Sequence, residues 1–197
     1  MYTDGSSRGN PGKGGWASIL ITEHGTTDNR HHEVEAVDER DEVIELGGRE
    51  DMTTNNRMEL MGAIKGLREI DNRRETGDSN GSRMDGLESG VDSVISVEVL
   101  TDSEYVRKGM AEWIQGWIKK GWKTSMKKDV LNKDLWEQLL AEETRLKSSG
   151  INVTWKYVQA HVGIAGNERA DTIATSCANN ASHLQLYRGP RKEYPYL

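Results

Sequence analysis

Segments patterned as β-strands alternate with segments patterned as α-helices along this 197-residue chain, and that alternation narrows the fold more than any other feature. Residues 15–22, Gly-Trp-Ala-Ser-Ile-Leu-Ile-Thr, are rich in strand formers and follow a turn-rich stretch from Gly5 to Gly14. They predict a strand with a hairpin partner near Val43 to Leu46. Met1-Tyr2-Thr3 reads as a strand cut short, ended by Asp4. A helix is expected from about Thr54, because Asn56 and Glu59 have capping-box spacing and Leu60, Ile64 and Leu67 recur at i, i+4 and i+7. Residues 95–101 alternate apolar and polar as a strand does, and Asp102-Ser103 then reads as a helix N-cap. Leu131 to Leu146 predicts another helix, Val153 to Val158 a strand, and Asn167 to Cys177 a closing helix capped by Asn167. Elements interleaved in this way imply one α/β domain with a mixed sheet.

Composition removes several classes of function. No apolar run reaches the roughly 18 residues needed to span a bilayer, and the opening MYTDGSSRGNPG has no basic region followed by an apolar stretch. The single Cys177 forms no internal disulfide and builds no zinc cluster, so a reducing, cytoplasmic setting is expected, with no membrane partner. The net charge of -6 and isoelectric point near 5.5 argue, as single numbers, against a polyanionic partner.

Those single numbers conceal two poles. Residues 23–51 carry 11 acids against three Arg, a local -8, and read as an acidic insertion. Residues 76–93 hold four Gly and four Ser and read as a flexible insertion. From Lys108 to Lys133, by contrast, seven Lys face only Glu112 and Asp129, a local +5, with Trp113, Trp117 and Trp122 interleaved. Ammonium groups neutralise phosphates while indoles pack on sugars or bases, so this stretch suits nucleic acid. It equally suits an amphipathic helix with Trp in the core and Lys in water.

Four acids carry the chemistry. Asp4 and Asp102 follow strands, where open sheets place ligand sites; Glu59 lies early in the helix from Thr54, and Asp171 lies four residues after Asn167. Carboxylates that converge repel, and persist only if cations neutralise them or protons are taken up. Oxygen-only ligands select hard divalent ions, and a metal pair is a known device for displacement at phosphorus. Taken singly, each acid reads equally as a cap or a surface residue.

The motifs occur in an order that resembles type 1 ribonuclease H. They are Thr3-Asp4-Gly5-Ser6 with Gly9-Asn10-Pro11-Gly12, Thr53-Thr54-Asn55-Asn56-Arg57-Met58-Glu59-Leu60, and Thr101-Asp102-Ser103 with Tyr105-Val106. Gly116-Trp117, Gly121-Trp122-Lys123-Thr124, His161-Val162-Gly163 and Gly166-Asn167-Glu168-Arg169-Ala170-Asp171 follow. The resemblance implies a ribonuclease H-like fold, a mixed five-stranded sheet flanked by helices, over residues 1–182, with residues 183–197 as a C-terminal tail. It implies endonucleolytic hydrolysis of the RNA strand of RNA/DNA hybrids by two Mg²⁺ ions, with Mn²⁺ as a substitute, leaving 5′-phosphate and 3′-hydroxyl ends. It makes Asp4, Glu59, Asp102 and Asp171 the metal ligands and catalytic acids, and His161 a mobile-loop residue that assists proton transfer.

The same resemblance implies groove contacts from Ser7, Asn10, Asn55, Asn56 and Glu104, and a DNA-strand channel shaped by Tyr105, Trp113 and Trp117. Thr54, Ser125 and Asn132 resemble DNA-phosphate contacts, and Lys119, Lys120 and Lys123 belong to the basic protrusion. Asn55 and Asn56 also suit helix caps, Trp122, Trp136 and Trp155 suit the core, and Met58 and Met61 stand at core spacing. The chain departs from the family's pattern in its short first strand, in Glu104 where relatives often have Gln, and in Met52 where many have Arg. The expectation is a free-standing monomeric nuclease; a hybrid-binding module that has lost catalysis and a reverse-transcriptase-associated domain are the rivals.

Overall fold

A computed structural model describes residues 1–24, 38–76, 96–181 and 183–196. Six strands form one sheet in the order β5-β4-β1-β2-β3-β6. Strands β1 (Tyr2–Gly9), β2 (Gly12–Ile21) and β3 (Glu42–Thr53) make an antiparallel meander. Strands β4 (Ser96–Thr101) and β5 (Asn152–Tyr157) extend it in parallel beside β1, and β6 (Arg188–Pro190) closes the β3 edge.

Two expectations are corrected here. The sheet has six strands and not five, because the stretch read as a tail supplies β6. The first strand is eight residues long and not three, and Asp4 lies inside it, because Gly5 to Gly9 pair with Trp16 to Gly12 of the hairpin partner. Met1 also packs into the core, and its carbonyl accepts from the Leu100 N–H at 2.8 Å, so the strand is held from its first residue. The acidic stretch is only partly an insertion, since Glu42 to Asp51 lie in β3. Its residues 25–37, and residues 77–93 of the Gly- and Ser-rich stretch, lie outside the described residues.

Period-two alternation in the strands divides the core between the two sheet faces. Leu20 and Ile44 face helix α1 (Asn55–Thr76), whose Leu60, Ile64 and Leu67 are buried against them. Behind α1 packs α4 (Lys133–Ser148), presenting Leu135, Trp136, Leu139 and Leu146. On the other face, Ala17, Ile19 and Val43 meet Ala170, Ile173 and Ala174 of α5 (Ala165–Ala178). Between β4 and α4 runs a helical segment built from α2 (Glu104–Lys108), one π-helical turn (Gly109–Trp113) and α3 (Ile114–Lys119). Ser103 caps α2, its hydroxyl accepting from the Val106 N–H at 3.4 Å, as the sequence predicts.

Candidate active site

The parallel β1–β4 pairing sets the chemistry. Tyr2 is level with Leu100, and that register carried two residues on places Asp4 level with Asp102 at the end of β4. Gly5 then lets α1 come close: a Cβ there would lie 2.2 Å from the Glu59 backbone nitrogen. The close approach brings Glu59 in from above, and one oxygen from each of Asp4, Glu59 and Asp102 lies within 4.8 Å of the others. Asp171, on the face of α5 turned to β1, stands near enough to Asp4 for its charge to be felt there.

Burial among like charges perturbs the group strongly. Asp4 and Glu59 are only 5% and 6% exposed. Burial and then the Asp102 charge push the Asp4 carboxyl up to about 8, against an N–H from Gly5 at 2.7 Å that favours the anion. Burial, followed by the charges of Asp4 and Asp102, raises Glu59 well above the ordinary carboxylate range. Its Oε1 accepts from Asn55 Nδ2 at 3.2 Å, while Oε2 is buried with no hydrogen-bond partner among the described residues.

Two helix starts differ from the sequence expectation. Helix α1 begins at Asn55, within a residue of the expected Thr54, but the Thr54 carbonyl accepts from Arg57 and Met58 N–H and Asn56 lies inside the helix, so Asn56 and Glu59 form no capping box. Helix α5 begins at Ala165, which puts Asn167 inside it, buried, with Nδ2 donating to Asp102 Oδ2 at 3.0 Å. Asn167 therefore orients a site carboxylate instead of capping a helix. Local sequence gives both duties the same signature, and only the fold separates them.

The remaining candidates fall into three groups. Ser7 lies on β1 and Asn10 at the tip of the β1–β2 hairpin, while Asn55 and Asn56 are exposed on the first turn of α1, and of these Asn55 bonds to Glu59. Glu104 starts α2 and is paired with Arg107 at 3.1 Å and Lys108 at 3.4 Å, so its charge is compensated. His161 lies in the exposed turn between β5 and α5, with φ of 55°, next to Gly163 at φ of 85°. It forms no hydrogen bond with the described residues, and Glu168 fixes the loop by accepting from the Gly163 N–H at 2.9 Å.

Aromatic and basic candidates converge on one groove. Trp113, Trp117, Lys120, Lys123 and Ser125 line it. Trp117 stands 5.7 Å from Trp113 and 5.4 Å from the buried Trp136, which in turn lies 5.1 Å from Tyr105. The Tyr105 hydroxyl accepts from Trp136 Nε1 at 3.0 Å and from Asn132 Nδ2 at 3.2 Å. Lys119 is exposed at the end of α3. Arg57, to which sequence reasoning gave no role, ties this network to α1, the helix that carries Glu59: it donates to Asn132 Oδ1 at 3.4 Å and grips Asp134 through two bonds of 3.0 and 2.7 Å. A cation two residues before a site Glu was the available signal.

Trp155 is half-buried, with Nε1 donating to Glu143 at 2.8 Å, and Trp122 is half-buried beneath Lys133. Burial raises the Cys177 thiol, which suits a packing role. Among the described residues no helix is long and apolar enough to cross a membrane.

Known proteins resemble this chain along most of its length. The RNase H family model matches residues 1–179. A Ribonuclease H from Chromohalobacter salexigens is 40% identical over 179 residues, which span 91% of this chain and 83% of that protein. Among solved structures, LC9-RNase H1, described as a type 1 RNase H with the type 2 active-site motif, superposes with a TM-score of 0.65. It is 25% identical and the match covers 95% of this chain and 75% of that one. LC11-RNase H1, solved in complex with an RNA/DNA hybrid, superposes at 0.51 with 21% identity, over 91% and 96% of the two chains. Agreement along nearly the whole chain, together with acids drawn from β1, α1 and the end of β4 into one cluster, makes this chain a member of the ribonuclease H family.

Proposed function

We propose that this ribonuclease H hydrolyses the RNA strand of RNA/DNA hybrids at the site built by Asp4, Glu59, Asp102 and Asp171, with two Mg²⁺ ions as cofactor. The observation that carries the reading is the cluster itself: three carboxylate oxygens within 4.8 Å of one another, two of the groups buried, with Glu59 Oε2 lacking a partner among the described residues. A like-charge cluster of that kind is costly unless cations fill it, and an all-oxygen donor set fits hard divalent ions. Asp4, Glu59 and Asp102 would hold them, joined by Asp171. Bound there, the pair supplies positive charge at the scissile phosphate and makes a neighbouring water easier to deprotonate.

The chain's own residues do the rest. Asn167 fixes the rotamer of Asp102 by its 3.0 Å bond, and Asn55 does the same for Glu59, so the acids are oriented before substrate arrives. Asn10, Asn55 and Asn56 present amides that both donate and accept, which suits the 2′-hydroxyls and base edges of the minor groove. Ser7 and Glu104 stand at neighbouring positions. The groove of Trp113, Trp117, Lys120, Lys123 and Ser125 takes the DNA strand, with Thr54, Asn132 and Lys119 nearby and Tyr105 holding Asn132 in place. His161, on its exposed turn, accepts and releases a proton at the edge of the site.

The test is cleavage of an end-labelled hybrid beside duplex DNA and duplex RNA, with Mg²⁺ and with chelator. Mg²⁺-dependent cuts confined to the RNA strand of the hybrid support the reading, and their absence overturns it. Asp102→Asn is expected to abolish turnover while hybrid binding survives, and His161→Ala to slow turnover without abolishing it. An equally dead His161→Ala would remove its auxiliary role.

A further inference from the structure

Helix α5 carries Asn167 and Asp171, and most of the side chains it lays on the sheet are small. It lies on the sheet through Ala170, Ala174 and Ala178 with Ile173 as the one large aliphatic side chain, and the strands meet it with glycine at Gly15 and Gly47. A Cβ on Gly15 would lie 2.2 Å from the Ala174 carbonyl oxygen, and one on Gly47 2.7 Å from Ile173 Cγ2. So smooth a contact permits close approach and offers few ridges to set an angle. On an α-helix, Asn167 and Asp171 lie about 40° apart, and Arg169 about 160° from each, on the far side. A rotation of about 20° at about 5.5 Å from the axis moves a side-chain head by about 2 Å, several times the tolerance of a metal site.

Arg169 ends in a buried fork. Its Nε donates to Glu45 Oε1 at 2.7 Å and its Nη2 to Glu45 Oε2 at 2.8 Å, with side-chain exposures of 10% and 0%. The stretch read as a tail completes the pocket. Tyr194 Oη donates to Glu45 Oε1 at 2.6 Å, the Tyr187 N–H donates to Oε2 at 2.9 Å, and the Gln185 carbonyl accepts from Arg169 Nη2 at 3.1 Å. The Tyr196 ring lies 4.0 Å from the guanidinium carbon. Burial alone would raise the Glu45 carboxyl, but the Arg169 fork, the Tyr194 hydroxyl and the Tyr187 N–H outweigh it and hold it below the usual range. Each carboxylate oxygen thus accepts two bonds, from directions set by β3, α5 and the C-terminal segment. Buried ion pairs contribute little to net stability, and their best-attested use is to specify register.

We infer that the Glu45–Arg169 pair, closed over by residues 185–196, is a register lock that sets the rotation of α5 and thereby positions Asp171 and the Asn167–Asp102 bond. Arg169 and Glu45 are positioning residues; neither belongs to the carboxylate cluster. The inference rests on the reading that Asp102 and Asp171 hold the metal, and its test is chosen to separate the two.

The variants are Arg169→Met, Arg169→Lys and the double variant Glu45→Met with Arg169→Met, in the full chain. The readouts are melting with chelator, Mn²⁺ binding by calorimetry without nucleic acid, the side-chain amide resonances of Asn167, and kcat and KM on hybrid. An apolar pair of similar volume should leave the double variant folded. Its Mn²⁺ affinity is expected to fall about tenfold. Its kcat should fall in parallel, with KM within about twofold, and the Asn167 amide signals should move. Arg169→Lys, which keeps the charge and loses the fork, should fall between it and the native protein. A folded double variant with native Mn²⁺ affinity and native Asn167 resonances overturns the inference. Should that variant not fold, the same two native readings in Arg169→Lys overturn it equally. Failure of the native protein to bind Mn²⁺ would instead sink the metal reading, leaving the Asn167 resonances to decide the lock.

Discussion

Replacing Asp4 by Asn should stabilise the cation-free protein while destroying its activity. With its carboxyl raised from the ordinary 3.8 to about 8, Asp4 keeps its proton in the fold over a pH range in which the unfolded chain has lost it. The unfolded state is therefore favoured increasingly as pH rises from about 4 to about 8, and fully so above that. A shift of about four units caps the penalty at about 5–6 kcal/mol. An independent scale comes from charge separation: charges at the 4.8 Å limit within which these oxygens lie repel by about 3.5 kcal/mol per pair at an effective dielectric of about 20. Because Glu59 is pushed up by the same neighbours, part of the strain passes to it when Asp4 is neutralised, and the expected gain is about 2–4 kcal/mol at pH 8.5. Asn retains the acceptor for the Gly5 N–H, so no hydrogen bond is forfeited. Thermal unfolding with chelator should show Asp4→Asn melting about 5–15 °C above the native protein at pH 8.5 and nearly level with it at pH 4. Added Mg²⁺ should narrow the gap by stabilising only the native protein. An equal gain at both pH values, or a loss at pH 8.5, would refute the electrostatic account of the site.

Further outcomes follow from the basic face and the core. Hybrid affinity, measured in Ca²⁺ or with Asp102→Asn to prevent cleavage, should weaken as salt rises although the chain is acidic overall. Replacing Lys119, Lys120, Lys127 and Lys128 together by Ala should reduce the log–log salt slope by about 3, and an unchanged slope would remove the protrusion from binding. Gly109→Ala should cost about 1–3 kcal/mol in a chemical denaturation series, because its Cβ would lie 2.0 Å from the ring of the buried Trp136. A neutral Gly109→Ala would mean that the π-helical turn opens without resistance.

How much of this could be read from the chain depends on whether the signal was local. Asp102 was legible, because Val97 and Val99 alternate into a strand that ends at a serine cap. Asp4 was placed at a strand end when it lies within one, because Gly5-Ser6-Ser7-Arg8-Gly9 has turn composition. Those residues are extended through pairing with β2, and Gly5 is there to admit α1. The helices were found within a residue or two, since apolar periodicity is local. Asn167 was read as a cap and Glu45 only counted within an acidic insertion, because what makes one a carboxylate holder and the other a buried partner of Arg169 lies 65 and 124 residues away.

Charge shows the same dependence on pairing across distance. Most acids of residues 38–51 have cationic partners within the chain, among them Glu42 with Arg73, Glu45 with Arg169, Asp41 with Arg191 at 3.5 Å and Glu39 with Lys192 at 3.6 Å. Arg188 meets Glu69 at 2.7 Å, so the basic residues of the C-terminal segment are engaged in holding the fold together. In the basic stretch, Lys108, Lys123 and Lys133 pair with Glu104, Asp129 and Glu137, whereas Lys119, Lys120, Lys127 and Lys128 have no ion pair among the described residues. Exposed pairs contribute little to stability, but they do cancel the field that a polyanion approaching the surface would meet. What remains uncancelled is a patch of lysines beside the aromatic groove and a buried knot of carboxylates on the sheet. On the proposed function a hybrid would be drawn to the first and a divalent cation to the second, so the net charge of -6 averages two fields suited to different ligands.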